Sequence, residues 1–330
     1  MRISELGQTI VVAAAILGAV VPAARADDVS VPEQIVNGMN KVWGSHAGFR
    51  ANHAKGVVVE GSFTPTPAAA ALSKATIFAG AAVPITVRFS DATGVPNLPD
   101  GNPYANPHGM AIKFHVADGS EVDVVTNSLK FFPVATGEDF RDLLAAIAAS
   151  TPDSPHPNTL EQFVSTHPAV AAATGTVATP TSLARENYFG INAFVFADKA
   201  GKHQAFRFRI LPAEGVQHMS AEDAGKQAPD FLMAELPARL AKQSVVFHLF
   251  AQLANPGDPT NDATKPWPDD RKTVEMGTIT LTKAVADSAS AEKALLFLPT
   301  NLQDGVEESD DPLIDVRTQA YAVSFSRRSQ

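Results

Sequence analysis

The chain has 330 residues, is 45% hydrophobic and carries a formal net charge of −9. That suits a globular protein of one large or two medium domains, and it argues against broad nucleic-acid binding, which needs a basic face. Cysteine is absent, which excludes disulfides, thiolate zinc sites, cysteine-held iron–sulfur clusters and thiol catalysis.

Residues 1–26 read as a secretory signal peptide. Arg2 gives a positive start, Ile10 to Val21 forms an apolar block, and Ala24-Arg25-Ala26 supplies the small-x-small cleavage pattern. The block is short for a membrane span and no second one follows. Cleavage after Ala26 is expected, with export to the periplasm or beyond, leaving residues 27–330 as a single domain without a membrane span.

The spacing of apolar residues predicts a helix over Val31–Trp43. Strand-like runs follow at Val57–Phe63, Ile85–Ser90, Met110–Val116 and Glu121–Asn127, several alternating with period two and separated by Gly, Pro, Asp and Asn. Helices are expected over Glu138–Ala149 and from Thr159, whereas the Ala/Thr-rich Ala171–Thr181 reads as loop. Strands return at Asn192–Ala197, Ala205–Leu211, Val245–Gln252 and Gly277–Thr282. Ser220–Lys242 reads as one or two helices that Pro237 could break, and Asn255–Arg271 as a long surface connection. About eight strands with helices between them indicate an α+β fold: an antiparallel β-barrel with flanking helices, able to hold a cofactor between barrel wall and helix.

No HExxH, GxSxG or Walker A pattern occurs. Four segments carry more chemistry: Arg50-Ala51-Asn52-His53-Ala54-Lys55-Gly56; Arg88-Phe89-Ser90, whose arginine and serine share one strand face; Asp123 to Asn127, followed by Phe131-Phe132; and Arg317-Thr318-Gln319-Ala320-Tyr321, whose ends stack if the piece is helical. Each has an ordinary reading as well. His53 could be a satisfied buried histidine and Tyr321 a packed tyrosine. Ser90 and Asn127 could be a strand hydroxyl and a turn amide, Arg50 and Arg88 surface charge, and the phenylalanines core.

In this order the segments resemble the haem catalase superfamily. RxxHAKG is similar to its distal-histidine motif, RFS to its serine strand, Asn106–Phe114 to the strand that follows, and Val125–Asn127 to its distal-asparagine segment. RxxxY resembles the motif whose tyrosine ligates haem iron, an established catalase ligand type. Ala263–Pro268 and Asn301–Pro312 agree, so the likeness covers most of residues 35–325. Gln330 lies nine residues past Tyr321, where full catalases continue, which points to the exported, catalase-related peroxidase branch.

The resemblance implies haem b with Tyr321 as axial ligand supported by Arg317. It implies His53 as proton carrier for peroxide, Ser90 as the residue that orients it, and Asn127 as a hydrogen-bond donor to peroxide. Arg50 and Arg88 become partners of the haem propionates, and Phe132 and Phe140 pack over the ring or line its access path. The implied activity is peroxidase chemistry on hydrogen peroxide or organic hydroperoxides with a small electron donor, and weak catalase activity, by a monomer or dimer. A haem-binding protein without catalysis and a hydroperoxide-isomerising enzyme are the alternatives. Two positions depart from the family pattern: Asn52 stands where full catalases place valine, and His108 where arginine is usual.

Overall fold

Alternation along a few strands decides how this protein is built. The computed structural model describes residues 29–329, so the leader expected over residues 1–26 lies outside the described residues. Contacts divide the chain at Ser30, and the unit from Val31 onward holds every described helix and strand.

Helix α1 (Val31–Trp43) leads into strand β1 (Gly56–Pro65), the short α2 (Pro67–Leu72), and then β2 (Val83–Asp91), β3 (His108–His115) and β4 (Glu121–Asn127). Helices α3 (Gly137–Ala149), α4 (Thr159–Thr166) and α5 (Pro168–Thr174) come next, followed by β5 (Tyr188–Phe189), β6 (Phe194–Ala197) and β7 (His203–Pro212). Helices α6 (Ala221–Ala224) and α7 (Phe231–Leu240) precede β8 (Val245–Leu253) and β9 (Thr273–Ala284). The chain finishes with α8 (Ser288–Ala294), β10 (Val306–Glu308) and α9 (Leu313–Arg328).

Every strand pairing is antiparallel. The order β7-β5-β4-β3-β2-β1-β9-β8 returns from β8 to β7, which closes an eight-stranded barrel, while β6 and β10 extend it beyond β7. Closure removes the free edges that an open sheet would expose. On β2, Val83, Ile85, Val87 and Phe89 point inward, and on β3 so do Met110, Ile112 and Phe114. With Phe63, Tyr188, Phe206 and Phe247 they fill the barrel with large side chains, so it is a packed core rather than a pore.

The outward residues of the same strands serve a second layer. Pro84 is exposed and Thr86 half-buried, but Arg88 and Ser90 are covered. The cover is α1, α3 and α9, which pack on one another through Ile35, Val36, Met39, Leu144 and Ala320. Arg327 on α9 ties this layer together, donating to Asn37 at 2.8 Å and Glu33 at 3.2 Å.

The sequence expectations hold for α1, the main strands, α3 and α4, with ends shifted by a few residues at most. Three readings need correction. Ala171–Thr181 is not all loop, because α5 runs through Thr174; alanine's helix propensity outweighs the threonines once Pro168 opens the helix. Pro237 lies inside α7 without ending it, since Leu232, Leu236 and Leu240 are all buried and hold the turn in place; the break between α6 and α7 comes at residues 225–230 instead. The connection 255–271 has no helix or strand but is not purely surface. Trp267 is buried, donates to the Pro259 carbonyl at 2.8 Å and lies under the Arg207 guanidinium. Among the described residues, no helix is long and apolar enough to cross a membrane.

Candidate active site

Strand register aligns three residues on the outward face: Ser90 pairs with Gly109, and Gly109 pairs with Asn127. The glycine in the middle is required. A Cβ there would lie 2.7 Å from Ser90 Oγ and 3.1 Å from His53 Nδ1, so its absence lets the imidazole stand against the strand. His53 Nδ1 lies 3.0 Å from Ser90 Oγ. The tautomer whose Nδ1–H donates to Ser90 leaves the Nε2 lone pair free to accept a proton. Asn127 accepts the Leu129 amide through Oδ1 at 2.9 Å, which leaves its NH2 as a donor on the row's far side.

His53 has φ = +56°, in the left-handed region that ordinary L-residues avoid. Its N–H donates to Asn52 Oδ1 at 2.9 Å, and its carbonyl accepts from Arg88 Nη2 at 2.9 Å. Asn52, the unexpected polar residue, therefore braces the histidine's backbone while lining the same cavity. Lys55 anchors the end of the turn on Asp100 at 2.6 Å and Asp230 at 3.0 Å. Burial is the largest of the effects that lower the His53 pKa to about 3, followed by the charges of Arg88, Arg50, Arg317 and His108. The ring is thus a neutral base over the whole physiological range.

The opposite wall is α9. Arg317, Tyr321, Ser324 and Arg328 recur at helical spacing and all line the cavity. Arg317 donates through Nη2 to the Tyr321 phenol oxygen at 3.1 Å and through Nη1 to Asn192. Asn192 in turn donates to Asp311 at 2.8 Å, and Asp311 accepts the Leu313 amide at the start of α9. The phenol oxygen is therefore fixed by a chain of hydrogen bonds running back to the helix's own first turn.

A cationic cluster closes one side. Arg88 is held by Glu292, whose Oε2 accepts from Nη2 at 2.6 Å and from Nε at 2.9 Å; Arg50 Nη1 approaches the same oxygen at 3.6 Å. Arg50 and Arg328 both donate to the Leu295 carbonyl, at 2.8 and 2.6 Å. Burial, then the like charges of Arg88 and Arg328, disfavour the charged form of the Arg50 guanidinium, with Glu292 opposing. Guanidinium resists losing its proton, so a cluster of three such groups and one carboxylate calls for further anionic charge. The buried Nε of Arg328 has no acceptor.

Ile35, Val36 and Met39 from α1, Phe132 and Phe140, and Leu313 and Val316 from α9 make the remaining walls apolar. The two phenylalanine rings pack against each other at 5.3 Å. The cavity has about 1190 Å³ of atom-free space, its mouth included. All nine expected site residues, His53, Ser90, Asn127, Arg50, Arg88, Phe132, Phe140, Arg317 and Tyr321, line it. Arg328, Glu292, Asn192 and Asp311 were not foreseen. Of these only Arg328 left a signal, seven residues and two helical turns after Tyr321. His108 points away from the cavity into the barrel, where it is buried 3.4 Å from Asp91. Replacing Gly109 by alanine is expected to part His53 from Ser90 and slow the site's reaction about tenfold or more, as a turnover assay alongside a melting curve would read.

The catalase family model matches residues 43–329. The catalase-related peroxidase of Mycolicibacterium paratuberculosis is 34% identical over 302 residues, covering 90% of this chain and 95% of the relative. The catalase-related peroxidase of Synechococcus elongatus is 30% identical over 303 residues, covering 91% of this chain and 89% of the relative. Among solved structures, a fungal catalase superposes with a TM-score of 0.75 at 20% identity over 86% of this chain, which spans 60% of that longer protein.

Proposed function

The chain belongs to the catalase family, and from that premise we propose that it is a haem-dependent peroxidase, reducing hydrogen peroxide or an organic hydroperoxide with small organic reductants and retaining weak catalase activity. The observation that carries this reading is the single cavity lined by a neutral, serine-oriented histidine on the barrel and an arginine-bonded tyrosine on the helix.

The residues present fit a haem. Among the described residues, no cluster of three or more His, Asp or Glu is placed to hold a bare ion. The phenol oxygen of Tyr321 would be the residue that holds the iron, and a donated guanidinium hydrogen bond suits an oxygen ligand. The Arg50–Arg88–Arg328 cluster, short of anions, would bind the two propionates, and the unpartnered Arg328 Nε would gain an acceptor. The apolar walls would cover the ring. Cysteine is absent, so thioether and thiolate attachment are excluded, and haem b, the type that the family resemblance implies, is the one proposed here.

Bound haem supplies the redox chemistry of a ferric iron. The protein's part is to position and move protons. Toward peroxide bound there, His53 Nε2 would accept the proton of one peroxide oxygen and hand it to the other. Ser90 keeps the tautomer that makes Nε2 the acceptor, the Asn127 NH2 donates to peroxide, and the apolar walls keep bulk water from competing. Export to the periplasm or beyond rests on the leader pattern in residues 1–26.

Purified, haem-loaded protein is expected to give a ferric spectrum with phenolate character and to oxidise a donor dye only when peroxide is present. Haem uptake without peroxide reactivity would make it a binding protein, and turnover of a lipid hydroperoxide without donor would make it an isomerase.

A further inference from the structure

The same nitrogen of Arg88, Nη2, bonds both the Glu292 carboxylate at 2.6 Å and the His53 carbonyl at 2.9 Å. The guanidinium is planar, so fixing Nε and Nη2 on one carboxylate oxygen leaves the other hydrogen of Nη2 a single direction to take. That direction meets the backbone of the histidine. We propose that Glu292 is a positioning residue for His53: through Arg88 it holds the histidine's strained backbone, and with it the imidazole, in the working orientation. This rests on the role given above to His53.

Three observations converge on the assignment. His53 is the one described non-glycine residue with positive φ, so its conformation must be imposed by its surroundings. The turn after it leaves room for the guanidinium and the neighbouring strand, because a Cβ on Gly56 would lie 2.5 Å from both Arg88 Nη2 and the Phe89 carbonyl oxygen. And α8, which carries Glu292, is itself located by β1, with Ser288 Oγ accepting the Val58 amide at 2.8 Å and lying 3.4 Å from Glu292 Oε1. Strand β2 thus supplies two holds on one histidine, Ser90 on its ring and Arg88 on its carbonyl, and Glu292 sets the second. Were the carboxylate only a counter-charge for the arginine cluster, its removal would alter anion binding and leave the histidine undisturbed.

The full-length chain carrying Glu292→Gln separates these roles. Native-state hydrogen exchange of the His53 amide, read without peroxide, is expected to quicken about tenfold. In the haem-loaded variant the rate constant for reaction with peroxide should fall about ten- to a hundredfold, with the KM for the donor dye unchanged. Glu292→Asp keeps the charge and withdraws it by one methylene; it should restore part of the peroxide rate while its His53 amide still exchanges faster than in the parent. Exchange and peroxide rate both within twofold of the parent in Glu292→Gln would overturn the proposal. If that variant does not fold, unchanged exchange in Glu292→Asp overturns it. Because exchange is measured without haem chemistry, quickened exchange in Glu292→Gln together with a parent that proves inert to peroxide would sink the proposed function and leave the positioning role standing.

Discussion

Replacing His53 by alanine is expected to slow peroxide consumption about a hundred- to ten-thousandfold, the range for losing a positioned acid–base group. The nearest alternative bases do not substitute. Asn127 offers a donor, Ser90 has no comparable basicity, and the arginines carry protons they do not release. The backbone braces at Asn52 and Arg88 do not depend on the ring, so the fold should persist and a melting curve should confirm it. A variant within threefold of the parent would remove His53 from the mechanism. The parent's peroxide step should also be flat between about pH 5 and 8 as far as this group is concerned, because burial and the charges of its arginine neighbours lower its pKa to about 3.

The same residue sets a stability signature with a definite sign. The folded pKa of about 3 lies below the unfolded value of 6.5, so protonation favours the unfolded chain. Its contribution to stability is complete above about pH 6.5 and declines as pH falls towards 3. Between pH 7 and pH 5 the parent should lose about 2 kcal/mol that the alanine variant does not lose. Urea denaturation at the two pH values measures the difference directly.

Tyr321→Phe should cost haem affinity at least about a hundredfold, roughly 2.7 kcal/mol, and abolish the phenolate features of the spectrum. The ring and its place on α9 are retained. What disappears is one oxygen, together with the partner of Arg317 Nη2. Haem titration followed by absorption reads the effect. Equal affinity with an unchanged spectrum would mean that the iron takes its axial ligand elsewhere.

Much of this architecture was legible because it is written in local patterns. Period-two alternation along β2 and β3 gave both the barrel interior and the outward row, and RxxH and RxxxY carry their spacing in the sequence. What stayed hidden is what register and packing bring together. Glu292 lies 204 residues from Arg88, and nothing in the stretch around it marks a buried carboxylate. Asn192 meets Arg317 across 125 residues from a segment that reads simply as the start of a strand. Arg328 was within reach, since two helical turns separate it from Tyr321, but only a helix drawn to its full length puts it in the cavity. His108 stands next to the pointed Gly109 in sequence, and strand alternation turns it the other way.

The joining of α1 to α9 bears on the order of events during synthesis. Glu33 and Asn37 wait for Arg327, and the Ala51 amide waits for Ser324, so partners made near the beginning stay single until nearly the last residue has emerged. Every barrel strand precedes α9 in the chain, so the sheet can close while the pocket is still open to water on one side. If the cavity holds a cofactor as proposed, it can be enclosed only after α9 has packed, and a translation product cut short before residue 313 would lack Arg317, Tyr321 and Arg328 on its helical wall.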